Sequence, residues 1–344
     1  MSAAKASSLI YSWATVRYEL LNTRISEMGL HIEGSPIEAY TRRVCHEVAS
    51  KALVFQPHFY LTDSWGCPDE VPVVGIPFYL ADKRLSRIEE EQTGEIETPS
   101  MILMFLRHEV GHAINYAYRL WQKNEWADTF GPFSKPYRDS FRPNAFSRQF
   151  VRHLISNPYG RTYAQKHPDE DFAETFAIWL TPRSAWRRKY RQWPALKKLL
   201  FVDRLMRQIR GKDPVRTDGA RVTPVEQMTL LLAEHYGQRA ERFRAAAQGY
   251  VDDKLREIFP TPRSHQRESA ACLIQDHEGD LIQRIARWSE QADVEIQAIL
   301  DKLKDRATAL ELTYARRDTN ARLIDLTALA TSMAMNFAHT GSFA

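Results

Sequence analysis

The sequence lacks most of the features that mark secreted, membrane and nucleic-acid-binding proteins. It has three cysteines, Cys45, Cys67 and Cys272, which are far apart and form no CxxC pair, so neither a disulfide framework nor a zinc–thiolate site is expected. No apolar run approaches the roughly 18 residues of a membrane span, and the first residues lack the apolar core of a signal peptide. The net charge of +4 is too small to predict nucleic-acid binding. We therefore expect a cytoplasmic protein without membrane or nucleic-acid partners, and the oligomeric state stays open.

The length of 344 residues, with 44% hydrophobic and 26% charged residues, is ordinary for a globular protein of one or two domains. The segment 211–219 carries glycine, proline and aspartate and is the best candidate for a linker. It predicts a first domain over residues 1–210, with a helical N-terminal part, and a helical C-terminal region over 220–344.

The C-terminal region contains no proline after residue 263, and its apolar residues recur mostly every three or four positions. This spacing favours a packing seam within the fold over the stripe of a dimeric coiled coil. The stripe consists of Leu281, Ile285, Trp288, Ala292, Ile299, Leu303 and Leu310.

Periodicity in the first domain predicts an α+β fold that is mainly helical. Apolar spacing indicates helices over residues 8–28 and 36–53, about 100–123 and about 168–179. Segments 53–61 and 71–80 are rich in β-branched and aromatic residues and predict strands, whose prolines place them at sheet edges. A small sheet near residues 53–80 should flank the helix over 100–123.

That helix carries the most informative motif of the chain, His108-Glu109-Val110-Gly111-His112, inside an apolar run. Residues four apart share a helix face, so His108 and His112 can reach one metal ion. Glu109 lies beside them, placed to take a proton from an attacking water. This is the HExxH arrangement of zinc hydrolases.

A catalytic zinc ion takes three protein ligands, so a third His, Asp or Glu must come from elsewhere. The best source is the segment HPDEDFAETFA over residues 167–177, where Glu170 and Glu174 share one face of the predicted helix. One carboxylate can bind zinc while the other accepts the outer N–H of a ligand histidine. His167 is expected to cap this helix rather than take part in chemistry. The opposite face should anchor the helix in the core through Phe172, Phe176 and Trp179.

These motifs together resemble the gluzincin metallopeptidases, whose third zinc ligand is a glutamate. The similarity is greatest to the bacterial zinc-binding metallopeptidases over residues 30–205, and more distant to anthrax lethal factor and the Mlc titration factor peptidase. In these relatives a tyrosine seven residues before the ligand glutamate stabilises the transition state. Tyr163 lies seven residues before Glu170, whereas Tyr159 lies eleven before it.

The resemblance therefore implies a zincin-like core with Zn²⁺ held by His108, His112 and Glu170, the last chosen over Asp171 and Glu174. It implies Glu174 as the outer partner of a ligand histidine, a position where the thermolysin pattern has an aspartate. Glu109 is the expected general base of a metal-activated water, and Tyr163 is expected to stabilise the oxyanion.

The predicted function is a zinc-dependent peptidase or amidase that hydrolyses a peptide or protein. The alternative is a regulatory or interaction protein with a structural zinc site and a partner-binding helical C-terminus.

Segment 183–221 carries 13 Lys and Arg against three Asp. It is a solvated helix face and linker, or a surface that attracts an acidic substrate. An edge strand over 73–80 is the candidate to pair with the substrate backbone.

Overall fold

The computed structural model describes residues 13–93, 96–137, 144, 146–153, 160–261, 267–289 and 291–340. Helices make up 62% and strands 7%, which confirms an α+β fold that is mainly helical. The chain divides into two compact units between Leu232 and Ala233. No described helix is both long enough and apolar enough to cross a bilayer.

The elements of the first unit follow in chain order. They are α1 (Trp13–Leu21), α2 (Glu38–Ser50), β1 (His58–Thr62), β2 (Val73–Pro77), α3 (Lys83–Thr93), α4 (Pro99–Ala117), α5 (Asn124–Phe130), α6 (Pro168–Leu180), α7 (Trp186–Lys189) and α8 (Leu196–Ile209).

The described part of the second unit is helical, with one short antiparallel pair of strands that three helices separate in sequence. Its elements are α9 (Leu232–Ile258, whose first residue closes the first unit), β3 (Arg267–Ser269), α10 (Ala270–Asp276), α11 (Glu278–Ser289), α12 (Asp293–Ala309), β4 (Thr313–Ala315) and α13 (Thr319–Thr340).

The predicted strands are shorter than their apolar runs because prolines delimit them. β1 begins directly after Pro57, and β2 starts after Pro72 and ends at Pro77. Proline cannot donate a ladder hydrogen bond, so pairing does not extend past these positions. The two strands pair in parallel, with Tyr60 opposite Gly75. All five residues of β2 are buried.

The segment predicted to be a linker belongs to the first unit. The backbone N–H groups of Val215 and Arg216 donate to the carbonyl of Ala117 at 2.8 and 3.1 Å. Further along, Leu231 forms a β-bridge with Arg24. These contacts hold residues 215–231 in the first unit, so the division falls at residue 232 and not at 211–219. Backbone hydrogen bonds of this kind cannot be deduced from a polar, glycine-containing stretch.

The apolar stripe of the second unit forms part of its own core, as predicted for a packing seam. It is divided between α11 and α12, and four of its members are buried, namely Leu281, Ile285, Ile299 and Leu303. Trp288 departs from the pattern, since 73% of it is exposed.

Candidate metal centre

The helix that carries the HExxH motif begins at a well-formed cap. The Thr98 hydroxyl accepts a hydrogen bond from the Met101 N–H at 3.3 Å, and Pro99 occupies the first helical turn, where its missing donor costs nothing. Every residue of α4 from Leu106 to Ala117 is buried. Arg107 forms a buried two-point ion pair with Glu47 of α2 at 2.7 and 2.8 Å, which fixes α4 on its other side.

The second helix of the site, α6, begins where the sequence predicts. His167 caps it, with Nδ1 accepting from the Asp169 N–H at 3.2 Å and Nε2 donating to the Lys135 carbonyl at 2.7 Å. The capping role predicted for His167 is therefore confirmed. The predicted core side chains Phe172, Phe176 and Trp179 are all buried.

The two helices cross with almost no space between their backbones. A Cβ placed on Gly111 would lie 2.9 Å from Ala173 Cα and 3.1 Å from Ala173 O, closer than non-bonded atoms approach. Ala173 thus provides the small surface against α4. This close approach brings the first turn of α6 to the imidazoles of α4.

Three predicted ligand atoms converge in this crossing. His108 Nε2 lies 3.1 Å from His112 Nε2. Glu170 Oε2 lies 3.0 Å from the first of these nitrogen atoms and 3.3 Å from the second. All three side chains are buried. A tetrahedral zinc ion at about 2.0–2.2 Å from its ligands separates them by about 3.3–3.6 Å, so a slight widening of this triangle admits the ion.

Hydrogen bonds on the outer side of each imidazole direct the lone pair of its other nitrogen into the triangle. His108 Nδ1 donates to Glu174 Oε1 at 2.9 Å, and His112 Nδ1 donates to Asp169 Oδ2 at 2.6 Å. In these tautomers both Nε2 atoms present lone pairs. Neither nitrogen then donates a hydrogen bond to the buried Glu170 Oε2, which has no other donor among the described residues. Three lone-pair atoms facing one point repel one another unless a cation lies between them, so the residues present fit a divalent metal ion.

The electrostatics of the cluster agree with this geometry. Burial opposes protonation of His108, but hydrogen bonds with Glu170 and Glu174 outweigh it and raise the pKa of His108 to about 10. Burial likewise disfavours the Glu170 carboxylate, yet its contacts with both histidines hold the pKa of Glu170 well below its usual range. The site therefore takes up positive charge, either as protons or as a metal ion.

Asp169 is one of the site residues that could not be identified from the sequence. Besides the His112 imidazole, its carboxylate accepts hydrogen bonds from the Tyr116 hydroxyl at 2.6 Å and from Asn115 Nδ2 at 2.7 Å. The signal in the sequence was the acidic run at the start of α6, a run that also suits the positive end of the helix dipole.

Two tyrosine hydroxyls contact Glu170 Oε1, the carboxylate oxygen that does not belong to the triangle. The Tyr163 hydroxyl lies 3.3 Å from Glu170 Oε1, and its ring packs edge-on against His108 at 5.7 Å. The Tyr137 hydroxyl, which the sequence analysis did not single out, donates to the same oxygen at 2.6 Å. The two hydroxyls are 3.4 Å apart. Tyr159, the rival of Tyr163, lies outside the described residues.

Glu109 is buried on α4 beside both imidazoles. Burial raises the pKa of Glu109, and the Glu170 and Asp169 charges raise it further while the two histidines oppose the shift. A carboxyl group whose pKa moves toward neutrality suits proton transfer.

Comparison with known proteins agrees with the metal centre. Residues 81–190 match the model of a family described as "Putative zinc-binding metallo-peptidase". The matched segment contains α4 and α6, and hence the whole His-His-Glu triad. Searches of curated proteins and of solved structures found no match. The gluzincin subtype and the more distant relatives named from the sequence stay predictions.

Two further expectations concern the substrate. In the basic segment, Arg187 and Arg207 pair with Asp203, and Lys198 pairs with Asp171, so part of its charge is used within the fold. An acidic substrate stays a prediction.

On β2, the N–H and C=O of Gly75 already pair with Gly66, at 2.7 and 3.4 Å. This edge is therefore closed to a substrate backbone at that residue.

Proposed function

We propose that the chain is a zinc-dependent peptidase or amidase that hydrolyses a peptide or protein amide bond. The proposal rests mainly on one observation. Two imidazole nitrogens and one carboxylate oxygen form a buried triangle beside Glu109, within the segment that matches the zinc-binding metallopeptidase family. A zinc ion bound by His108, His112 and Glu170 would supply a Lewis acid that polarises a carbonyl and lowers the pKa of water.

In this proposal Glu109 acts as the general base. It accepts the proton of the attacking water as a carboxylate and delivers it to the departing amine, so the carboxylate is restored at the end of the cycle. Glu174 and Asp169 hold the ligand imidazoles in the tautomers that leave both Nε2 atoms free.

Tyr163 supplies the remaining donor of the proposed mechanism. Its hydroxyl lies at the rim of the triangle, where negative charge develops on the carbonyl oxygen during attack. Tyr137 lies beside it and holds Glu170 Oε1, and we assign it the positioning of that carboxylate.

The alternative function, with a structural zinc ion, requires a fourth protein ligand that closes the site. Among the described residues, the group of potential ligands contains only His108, His112 and Glu170. Three protein ligands with one open position favour catalysis over a structural role.

The proposal is tested with a mixed-sequence peptide library, digested by the zinc-loaded chain and analysed by mass spectrometry. We expect turnover that disappears with a chelator and returns with zinc. Glu109→Gln should lower the rate about 100- to 10,000-fold while keeping its metal. Glu89→Gln changes a buried glutamate of α3 in the same way and should keep wild-type turnover. Equal turnover in Glu109→Gln and wild type would overturn the proposed mechanism.

A further inference from the structure

An aromatic pair lies on the same side of α4 as the metal ligands. Phe105 precedes Glu109 by one helical turn, and residues 105, 108, 109 and 112 fall within an arc of about 100° on the helix. The residues of α4 from Leu106 onward are buried, whereas Phe105 is partly exposed. On the face of α4 that carries both ligand histidines and Glu109, Phe105 is therefore accessible to a ligand.

Trp65 covers this phenylalanine. The two rings stack at a centroid distance of 5.4 Å with an angle of 17° between their planes. Trp65 is itself partly exposed, so the pair presents apolar surface to solvent and is not sealed in the core. Partly exposed stacked aromatic rings are a common wall of ligand sites.

The position of Trp65 is fixed from two sides. Its indole Nε1 donates to Glu97 Oε1 at 2.9 Å, and the same oxygen accepts from the Tyr79 hydroxyl at 2.8 Å. The next residue, Gly66, is paired with Gly75 of β2. An indole held in this way loses little conformational freedom when a ligand contacts it.

The loop that carries Trp65 lies beside the HExxH helix, because Trp65 stacks on the residue one turn before Glu109. Burial raises the pKa of the Cys67 thiol well above its usual range, and the charges of Glu109 and Asp169 raise it further. Gly111, which contacts α6, lies about 120° around the helix from Phe105. Phe105 and Glu109 therefore lie beyond the two imidazoles as seen from Gly111, next to the metal ligands.

We infer that Trp65 and Phe105 form the wall of a substrate subsite that selects a large apolar or aromatic side chain next to the cleaved bond. This inference rests on the proposed function and specifies its substrate class. Apolar discrimination in such a subsite is commonly about 10- to 100-fold between a large side chain and alanine.

The test measures residue preference at the cleavage site. In the peptide library, wild type should enrich Phe, Tyr, Trp, Leu or Met about tenfold or more at one position that flanks the cut. Trp65→Ala and Phe105→Ala should abolish this enrichment, and Trp65→Phe should retain it. Trp13→Ala is the matched control, because Trp13 also donates its indole N–H to a glutamate, Glu91, at 2.8 Å but lies on α1. Unchanged enrichment in both alanine variants, with wild-type zinc content, would overturn the inference while leaving the peptidase proposal intact.

A binding measurement separates the inference from the proposed function. Calorimetry on zinc-loaded Glu109→Gln should show tighter binding of a phenylalanine-containing peptide than of its alanine counterpart. The difference should vanish in Glu109→Gln/Trp65→Ala. Retention of this difference without any turnover by wild type would refute the peptidase proposal alone, and equal affinity for the two peptides in Glu109→Gln would refute the subsite.

Discussion

Gly111 and Ala173 are in direct backbone contact, and this contact sets the distance between the two helices of the metal centre. A Cβ at Gly111 would lie 2.9 Å from Ala173 Cα and 3.2 Å from Phe176 Cδ1. The glycine that precedes the second histidine of HEVGH is therefore a packing requirement of the site, because no larger residue leaves α6 close enough for Glu170 to reach the imidazoles.

Gly111→Ala should separate α4 and α6. We expect a loss of about 1–3 kcal/mol in the free energy of unfolding, as is typical of overpacking, together with weaker zinc binding. Gly237→Ala is the matched control, since Gly237 lies in α9 with nothing within 4 Å of its added Cβ. That change should stabilise its helix by up to about 1 kcal/mol. Denaturant unfolding and zinc titration of both variants check the prediction, and wild-type zinc affinity in Gly111→Ala would contradict it.

Asp169→Asn should weaken zinc binding about 10- to 100-fold, because His112 loses the carboxylate that orients it and increases its basicity. Glu174→Gln should act similarly through His108. Asp171→Asn serves as the control, because Asp171 is buried in the same turn of α6 but pairs with Lys198. A competition titration against a chelator measures all three affinities. Equal zinc affinity in Asp169→Asn and Asp171→Asn would show that the Asp169 contact does not support the metal.

Tyr163→Phe should lower kcat about 100- to 1,000-fold, with little change in zinc content, because a donor to the developing oxyanion is removed. Tyr137→Phe should have a smaller effect on kcat, since its hydroxyl donates to Glu170 and not to the substrate. Steady-state kinetics of both variants on one cleaved peptide make the comparison. The reverse order of effects would transfer the oxyanion role to Tyr137.

The effect of zinc on stability should grow with pH. In the metal-free protein the pKa of His108 is raised to about 10, with Glu170 and Glu174 outweighing burial. The stabilisation from this proton is complete below the unfolded pKa of about 6.5 and is lost as pH rises toward 10. Zinc must displace the proton, so its binding strengthens over the same range. Thermal unfolding with and without zinc should show a larger difference in Tm at about pH 8.5 than at about pH 6, and a constant difference would contradict this linkage.

The sequence was sufficient for the local elements of the site and insufficient for its packing. A spacing of four residues places His108 and His112 on one helix face, and His167 followed by Pro168 predicts the start of α6. These are short-range signals, because helix periodicity and capping depend on neighbouring residues. The fold class followed from the same signals.

The contacts that could not be predicted all join distant parts of the chain. Asp169 binds a histidine 57 residues away, and the Glu47–Arg107 pair spans 60 residues. Tyr137 lies in a stretch rich in aromatic residues and proline, which is typical of packing, yet 52% of it is exposed and it reaches Glu170. A single sequence contains no signal for such pairs, since each partner has an equally plausible local explanation.

The most direct test of the account is the metal content of purified wild type, Glu109→Gln, Glu170→Ala and Glu174→Ala, measured by mass spectrometry of the loaded chains. We predict one zinc per chain in wild type and in Glu109→Gln, and none retained by Glu170→Ala after dialysis. Glu174→Ala should keep zinc with reduced affinity. Zinc retained by Glu170→Ala but lost from Glu174→Ala, or no zinc bound by wild type, would contradict the proposed metal centre.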